Sequence, residues 1–399
     1  MTTNADLKKF DHLLQDDSDA RAITRETHLQ NVNGKLCPVA PPTFAAARDE
    51  DNEKSGKRNK NKSSDYCVSE GTATGDKNCI INTHGAEANR LEVIFKKSRY
   101  QKLVPQVSIE YKEDKFNLLD TPHRVGDILV KCSTVVGEKA KEALAAFKNG
   151  DFTLLGKFFP TSLVHGFWDS RGNLERWGRT ISSEIRALSV NVSDSGYSSS
   201  PLINWEEALT DAGIEKNQET ASALGMDQIS MISPKHGRVL AKEIVQNVMI
   251  DLAQIRSIGA KDEDTALKIR RYILGLDLVL FTSVREYRLR VGCSLMLDQD
   301  KEENHKSQLA YFDRYEDFPL SHADAIAFCA AAKEDFGAVD ALEGKFDQKA
   351  MATEYNKKAK KDSEENESGS DVETVKKSKK RKEEKGSDSK QVVAPAKNE

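Results

Sequence analysis

The chain has 399 residues, 38% hydrophobic and 31% charged, with a mean hydropathy of −0.61, enough for one large or two ordinary domains with a real core. Lys and Arg number 60 against 64 Asp and Glu, a net charge of −4 that gives no global sign of nucleic-acid affinity, so any basic surface must be local. The longest apolar run, Ile273 to Phe281, is broken by Asp277 and is far shorter than the ~20 residues of a spanning helix. The first residues (Asp6, Lys8, Lys9, Asp11) lack an apolar signal core, so a cytoplasmic protein without membrane attachment is expected. Cys37, Cys67, Cys79, Cys132, Cys293 and Cys329 form no CxxC pair, which favours reduced thiols over a zinc ribbon.

In chain order, Met1 to about Phe44 mixes short apolar groups with turns and ends on Pro41-Pro42, and a polar insertion follows, centred on the basic run Lys54 to Lys62. Val107, Ile109 and Tyr111 predict a strand over Lys102 to Tyr111, and the alternation of Leu163, His165 and Phe167 with Val164, Gly166 and Trp168 predicts another over Ser162 to Trp168. Glu138 to Phe147, Ala- and Lys-rich and closed by Gly150, predicts a helix. Helical spacing also links Val239, Leu240, Ile244, Val248, Leu252 and Ile255, and then Ala266, Ile269, Ile273, Leu276 and Leu280. Ser321-His-Ala-Asp324 has the form of a helix start. A second polar excursion runs from about Ser193 to Lys235, and no period of 20 to 50 residues repeats. Strands interleaved with helices point to an α/β or α+β sheet domain with long loop insertions. From Asn356 to Glu399 the sequence is almost wholly Lys, Glu, Asp, Ser and Gly, which predicts a disordered tail.

Two arginine lines stand out. Val284 to Leu297 alternates as a strand, with Tyr287, Leu289, Val291 and Cys293 on a core face and Arg288 and Arg290 on the other; the preceding helix carries Arg271. Guanidiniums at that spacing suit a tracked phosphate backbone, and equally a plain solvated face. Arg176, Arg179 and Arg186 share a face if Arg176 to Leu188 is a helix, with Glu175 and Glu184 as competing ion-pair partners. His84, His123, His165, Asp120, Asp127 and Asp169 lack metal-ligand or paired-carboxylate spacing, and no phosphate loop, dinucleotide fingerprint or nucleophile elbow is present.

Five segments taken together carry a resemblance. Pro41-Pro-Thr-Phe-Ala45, Ile80 to Glu92 (with Ala-Asn89-Arg90-Leu-Glu), Leu118-Leu-Asp-Thr-Pro-His123-Arg124, Pro160 to Ser170 and Arg285-Glu-Tyr-Arg288-Leu-Arg290-Val-Gly-Cys follow one another in order. Over about Pro41 to Leu297 they resemble the backbone subunit of type I-G (formerly I-U) CRISPR-Cas effector complexes, a Csb-one-like member of the Cas-seven superfamily. The resemblance implies an α+β, RRM-like (ferredoxin-like) core over residues 1–350 with insertions at about 45–78 and 193–235, then a charged tail over 351–399. It implies several copies stacked on one CRISPR RNA, gripping phosphates and presenting the bases to target DNA. The other partners implied are the large subunit, the repeat-processing and guide-capping subunit, and a recruited helicase-nuclease; no cofactor, metal or catalytic residue is expected. Asn89, Arg90, His123, Arg124, Arg176, Arg179, Arg271, Arg288 and Arg290 are the expected RNA contacts. The rival reading is an RNA endonuclease of the same superfamily using Asp120, Asp127, Asp169 or His123.

Overall fold

The computed structural model describes residues 7–44, 65–70, 75–169, 175–192, 197–199, 204–215, 217–224, 229–231, 238–283 and 285–356. The basic run Lys54 to Lys62 and the charged tail beyond residue 356 lie outside them.

The fold is α+β. One antiparallel sheet of nine strands contains β1 (Ala20–Asn31), β2 (Val68–Glu70), β3 (Lys77–Asn82), β6 (Ile181–Val192), β7 (Val239–Asp251), β8 (Tyr287–Arg290), β9 (Cys293–Leu297), β10 (His305–Tyr311) and β11 (Tyr315–Asp317). Its main path runs β8-β9-β1-β7-β6-β3-β2. β1 is long enough to hold two partners on one edge: Leu29 to Asn31 pair with β9, and Ala20 to Thr27 pair with β10, which in turn carries β11. A second sheet joins β4 (Gln106–Tyr111), β5 (Asp114–Asn117) and β12 (Ala341–Lys345), the last pairing with β4 in parallel.

Helices α1 (His84–Glu92), α2 (Val135–Lys148), α3 (Pro160–His165), α4 (Glu263–Thr282) and α5 (His322–Phe336) supply most of the helical packing. α4 is the hub. It is buried continuously from Ile269 to Phe281, as expected of a helix apolar nearly all round. Gly275 allows α5 to approach, since a Cβ there would sit 2.8 Å from Cα of Cys329. Ser321 caps α5 as its sequence predicts, accepting from the Asp324 N–H at 3.1 Å.

On the helix-bearing face of the large sheet, register places Ile23, Arg25, Thr27 and Leu29 of β1 opposite Ile250, Val248, Gln246 and Ile244 of β7. β6 adds Ile181, Ser183, Ile185 and Ala187 to the same face. Two apolar clusters form, one around α4 with Ile23, Ile181, Val248 and Ile250, the other around Leu29, Ile81, Ile185, Ile244 and Leu295. Between them runs a polar band of Arg25, Thr27, Gln246 and Ser183. The opposite face carries Thr24, Glu26, His28, Ser182, Glu184, Asn247 and Met249, and at its β11 edge the exposed Tyr315.

Four sequence expectations are corrected. Val239 to Asp251 is a strand, because residues 246, 248 and 250 are buried while 247 and 249 are exposed; the buried Gln246 conceals the period of two. Arg176 to Leu188 forms a two-residue strand and then β6, so Arg176, Arg179 and Arg186 share no helical face. Ser162 to Trp168 is mostly the helix α3, entered through Pro160 at its first turn and buried at every residue, Thr161, Ser162 and His165 included, so no exposed face marks a helical period. Of the strand expected over Val284 to Leu297, the described residues form a hairpin, Tyr287–Arg290 against Cys293–Leu297: the chain reverses at Val291 and Gly292 (φ +79°), and Val291 is 91% exposed rather than buried. β1, β2, β3, β5, β10, β11 and β12 escape the sequence reading altogether. The helices over Glu138 to Phe147 and Ala266 to Leu280 stand as expected, and the strand expected over Lys102 to Tyr111 is present as Gln106–Tyr111, residues Gln101–Leu103 forming a 3-10 turn.

Candidate nucleic-acid interface

α1 separates two arginine-rich regions. Thr83 caps it, accepting from the Ala86 N–H at 3.2 Å, and its buried face carries Glu87 and Glu92. Burial of a carboxylate is costly unless it is hydrogen-bonded and paired, and each of these two organises one region.

Glu87 organises the first. Its Oε1 accepts from Asn82 Nδ2 at 2.6 Å and from Arg90, and its Oε2 accepts from Ser183 Oγ at 2.8 Å and Gln246 Nε2 at 2.7 Å. Burial works to raise its pKa, but Arg90, Arg285 and these hydrogen bonds overcome it, and Glu87 is held below the ordinary carboxylate range. Tyr287 Oη donates to Gln246 Oε1 at 2.8 Å, and the Arg90 guanidinium lies 5.6 Å from the Tyr287 ring centroid. Beside this network opens a cleft of about 560 Å³, lined among others by Arg25, Thr27, Phe281, Arg285, Arg288 and His305. Thr27 Oγ1 and His305 Nδ1 are hydrogen-bonded at 3.1 Å. Burial, then the Arg25 charge, pulls the His305 pKa down to about 4. Around this region Arg90, Arg288, Arg285 and Arg25 outnumber the carboxylates Glu87 and Glu286, so the cleft is net cationic.

Glu92 organises the second. Arg124 grips it through Nε at 2.7 Å and Nη2 at 2.6 Å and donates from Nη1 to the Gly166 carbonyl at 3.1 Å. Arg124 is 7% exposed and sits at φ +52°, a left-handed conformation that an arginine adopts only where its surroundings compel it. Behind this pair Lys131 binds Asp169 at 2.7 Å, both buried. Trp168 pairs with Arg176 across a short ladder, Phe167–Trp168 against Arg176–Trp177. Its indole is 52% exposed and meets His123 edge-on at 6.4 Å. Arg176 and Arg179 are exposed, and among the described residues neither guanidinium has a hydrogen bond or ion pair. The Arg179 guanidinium is half-buried where it nears Arg124, and that partial burial, with the Arg124 charge, lowers its pKa against the pull of Glu92. His123, Trp168, Arg176 and Arg179 thus form an aromatic and cationic surface with donors to spare.

The residues singled out in the sequence divide accordingly. Arg90 and Arg288 border the cleft; Asn89 is exposed on α1; His123, Arg124, Arg176 and Arg179 gather near Trp168. Arg290 instead ties the hairpin down, donating to the Ala40 carbonyl at 3.1 Å and the Ile81 carbonyl at 2.8 Å. Arg271 lies apart, bound to Asp11 at 2.7 and 2.6 Å. Arg124, Arg271 and Arg290 therefore have structural partners, whereas Arg176, Arg179 and Arg288 are open. The acids of the rival reading have partners as well: Asp120 pairs with Lys96, Asp127 caps Ile128–Lys131, and Asp169 pairs with Lys131. Among the described residues no three His, Cys, Asp or Glu are grouped to hold a metal ion. Arg25, Glu87, Trp168, Gln246 and His305 were not singled out. For Trp168 the signal was there, a tryptophan beside Asp169 and Ser170 in a segment already noted.

Residues 23–192 match the model of a family described as CRISPR-associated protein GSU0053. That segment carries Arg25, both glutamates of α1, Arg124, Trp168, Arg176 and Arg179. No curated protein matches the chain. Among solved structures, one titled "CRISPR RNA-guided surveillance complex, pre-nicking" is similar at 13% identity and a TM-score of 0.28, covering 77% of this chain and 82% of that one.

Proposed function

We propose that this protein is a non-catalytic RNA-binding backbone subunit of a type I-G CRISPR interference complex. Several copies line up along one CRISPR RNA, hold its phosphates, and leave its bases to pair with target DNA; the large subunit, the guide-capping subunit and a helicase-nuclease are the further partners, in the cytoplasm. The observation that carries this reading is the Trp168 surface. An exposed indole stacks on any base, and the neighbouring Arg176 and Arg179 offer uncommitted guanidiniums to phosphates, a combination that grips single strands without reading sequence. The match to a CRISPR-associated family over the same residues supports the choice of RNA.

The test is RNA binding by the purified protein at several salt concentrations. Arg176→Ala with Arg179→Ala should lower the slope of log K against log salt by about 0.7 for each phosphate no longer neutralised, equally for guides of unrelated sequence. An unchanged slope would move the RNA path elsewhere, and discrete cleavage of the RNA in Mg²⁺ would replace this reading with the endonuclease.

A further inference from the structure

Arg285 has a side chain only 6% exposed and stands in the wall of the cleft. Its Nη2 donates to the Leu280 carbonyl at 2.9 Å, while Nε and Nη1 are buried without an acceptor. Glu87, 3.8 Å from Nη1, cannot serve: its two oxygens already accept from Asn82, Arg90, Ser183 and Gln246, and a carboxylate has about four lone-pair sites. Arg25 repeats the arrangement. Its Nη1 donates to the Phe281 carbonyl at 2.9 Å and its Nε is buried without an acceptor. The last turn of α4 thus fixes both guanidiniums by consecutive carbonyls, its negative end suiting the cations, and leaves three nitrogens, Arg285 Nε and Nη1 and Arg25 Nε, without an acceptor. Arg288 stands exposed at the rim.

We propose that this cleft binds a nucleoside phosphate, a ligand the RNA-backbone reading does not require. The phosphate oxygens accept from Arg285 Nε and Nη1 and from Arg25 Nε, since three donors on two forks suit a group with three acceptor oxygens. The nucleoside lies along the apolar wall of Val248, Phe281, Leu295 and Leu297. A volume of about 560 Å³ falls within the usual range for small-molecule pockets and leaves space beyond a bare phosphate. The nucleotide comes either from solution or from one position of a bound RNA.

The test is calorimetric titration of the full-length protein with uridine 5′-monophosphate, uridine and inorganic phosphate. The expected result is saturable binding of the monophosphate, with each half of the molecule at least about tenfold weaker, and a loss of at least about tenfold in Arg25→Met. Arg288→Ala, at an exposed position, should weaken binding without affecting the fold. The double change at Arg176 and Arg179 should leave monophosphate binding intact, so failure of the RNA reading and failure of this one are separable. Displacement of the monophosphate by a guide-length RNA assigns the cleft to a nucleotide of the strand; simultaneous binding assigns it to a free nucleotide. Absence of saturable monophosphate binding to the wild-type chain, or equal affinity in a folded Arg25→Met variant, overturns the proposal.

Discussion

Asp277 sits fully buried in the middle of α4, with neither carboxylate oxygen in a hydrogen bond. Burial pushes its pKa well above the ordinary aspartate value, with Thr180 pulling the other way. A folded-state pKa above the unfolded one, about 3.9, means that the stability of this group is complete below about pH 4 and is lost as pH rises toward the folded value. Asp277→Asn removes the titration. The variant should gain over wild type as pH rises from 4 toward neutrality, by about 1.4 kcal/mol for each pH unit over which Asp277 keeps its proton in the folded chain alone, and thermal melts at pH 4 and pH 7 measure it. Glu92 makes the opposite case: Glu92→Gln strands the buried Arg124 charge and should cost roughly 3–5 kcal/mol. By contrast Arg176→Ala, at an exposed position, should stay within about 0.5 kcal/mol in a denaturant melt. These contrasts were not legible in the sequence. Arg124, Arg271 and Arg290 look like Arg176, Arg179 and Arg288 until their partners are found, and those partners lie 32 residues away for Glu92 and 260 for Asp11.

At the scale of elements, the apolar helix α4, the capped α5 and strand β4 were readable because hydrophobic period and burial agree there. β1, β6 and β7 were not, and their failures share a cause. On the core-facing side each carries polar residues where the pattern requires apolar ones: Arg25 and Thr27, Ser183, Gln246. Those side chains form the network around Glu87 and the floor of the cleft, so the candidate site itself hid the strands that build it. The Trp168 ladder depends on a single turn. Gly166 has φ +77°, and a Cβ there would lie 2.8 Å from the Trp177 carbonyl oxygen. Gly166→Ala should therefore destabilise the protein by about 1 kcal/mol or more and displace Trp168, with RNA binding falling by more than the loss in stability explains; melts and binding titrations on one preparation separate the two effects.

For the molecule as a whole, the interleaved strands and helices leave α/β and α+β open, the structure is α+β, and its topology has a consequence for how the chain is made. β1 ends at Asn31, yet every strand it pairs with lies at Val239–Asp251 or later: β7, β9 and β10. β12, which completes the small sheet, comes later still. A ribosome adding about 20 residues per second leaves β1 without a partner for roughly ten seconds. Through that interval its twelve residues expose unpaired N–H and C=O groups to any neighbouring chain. Pairing over such sequence separations also slows closure once the partners have emerged. A fragment ending at residue 235 should accordingly remain protease-sensitive and aggregate, while the full chain becomes resistant in a step that follows release, as pulse proteolysis during cell-free translation would record. Dense polysomes hold many such unpaired strands side by side, so yield in overexpression should respond more to the rate of initiation and to temperature than to the melting point of the finished protein.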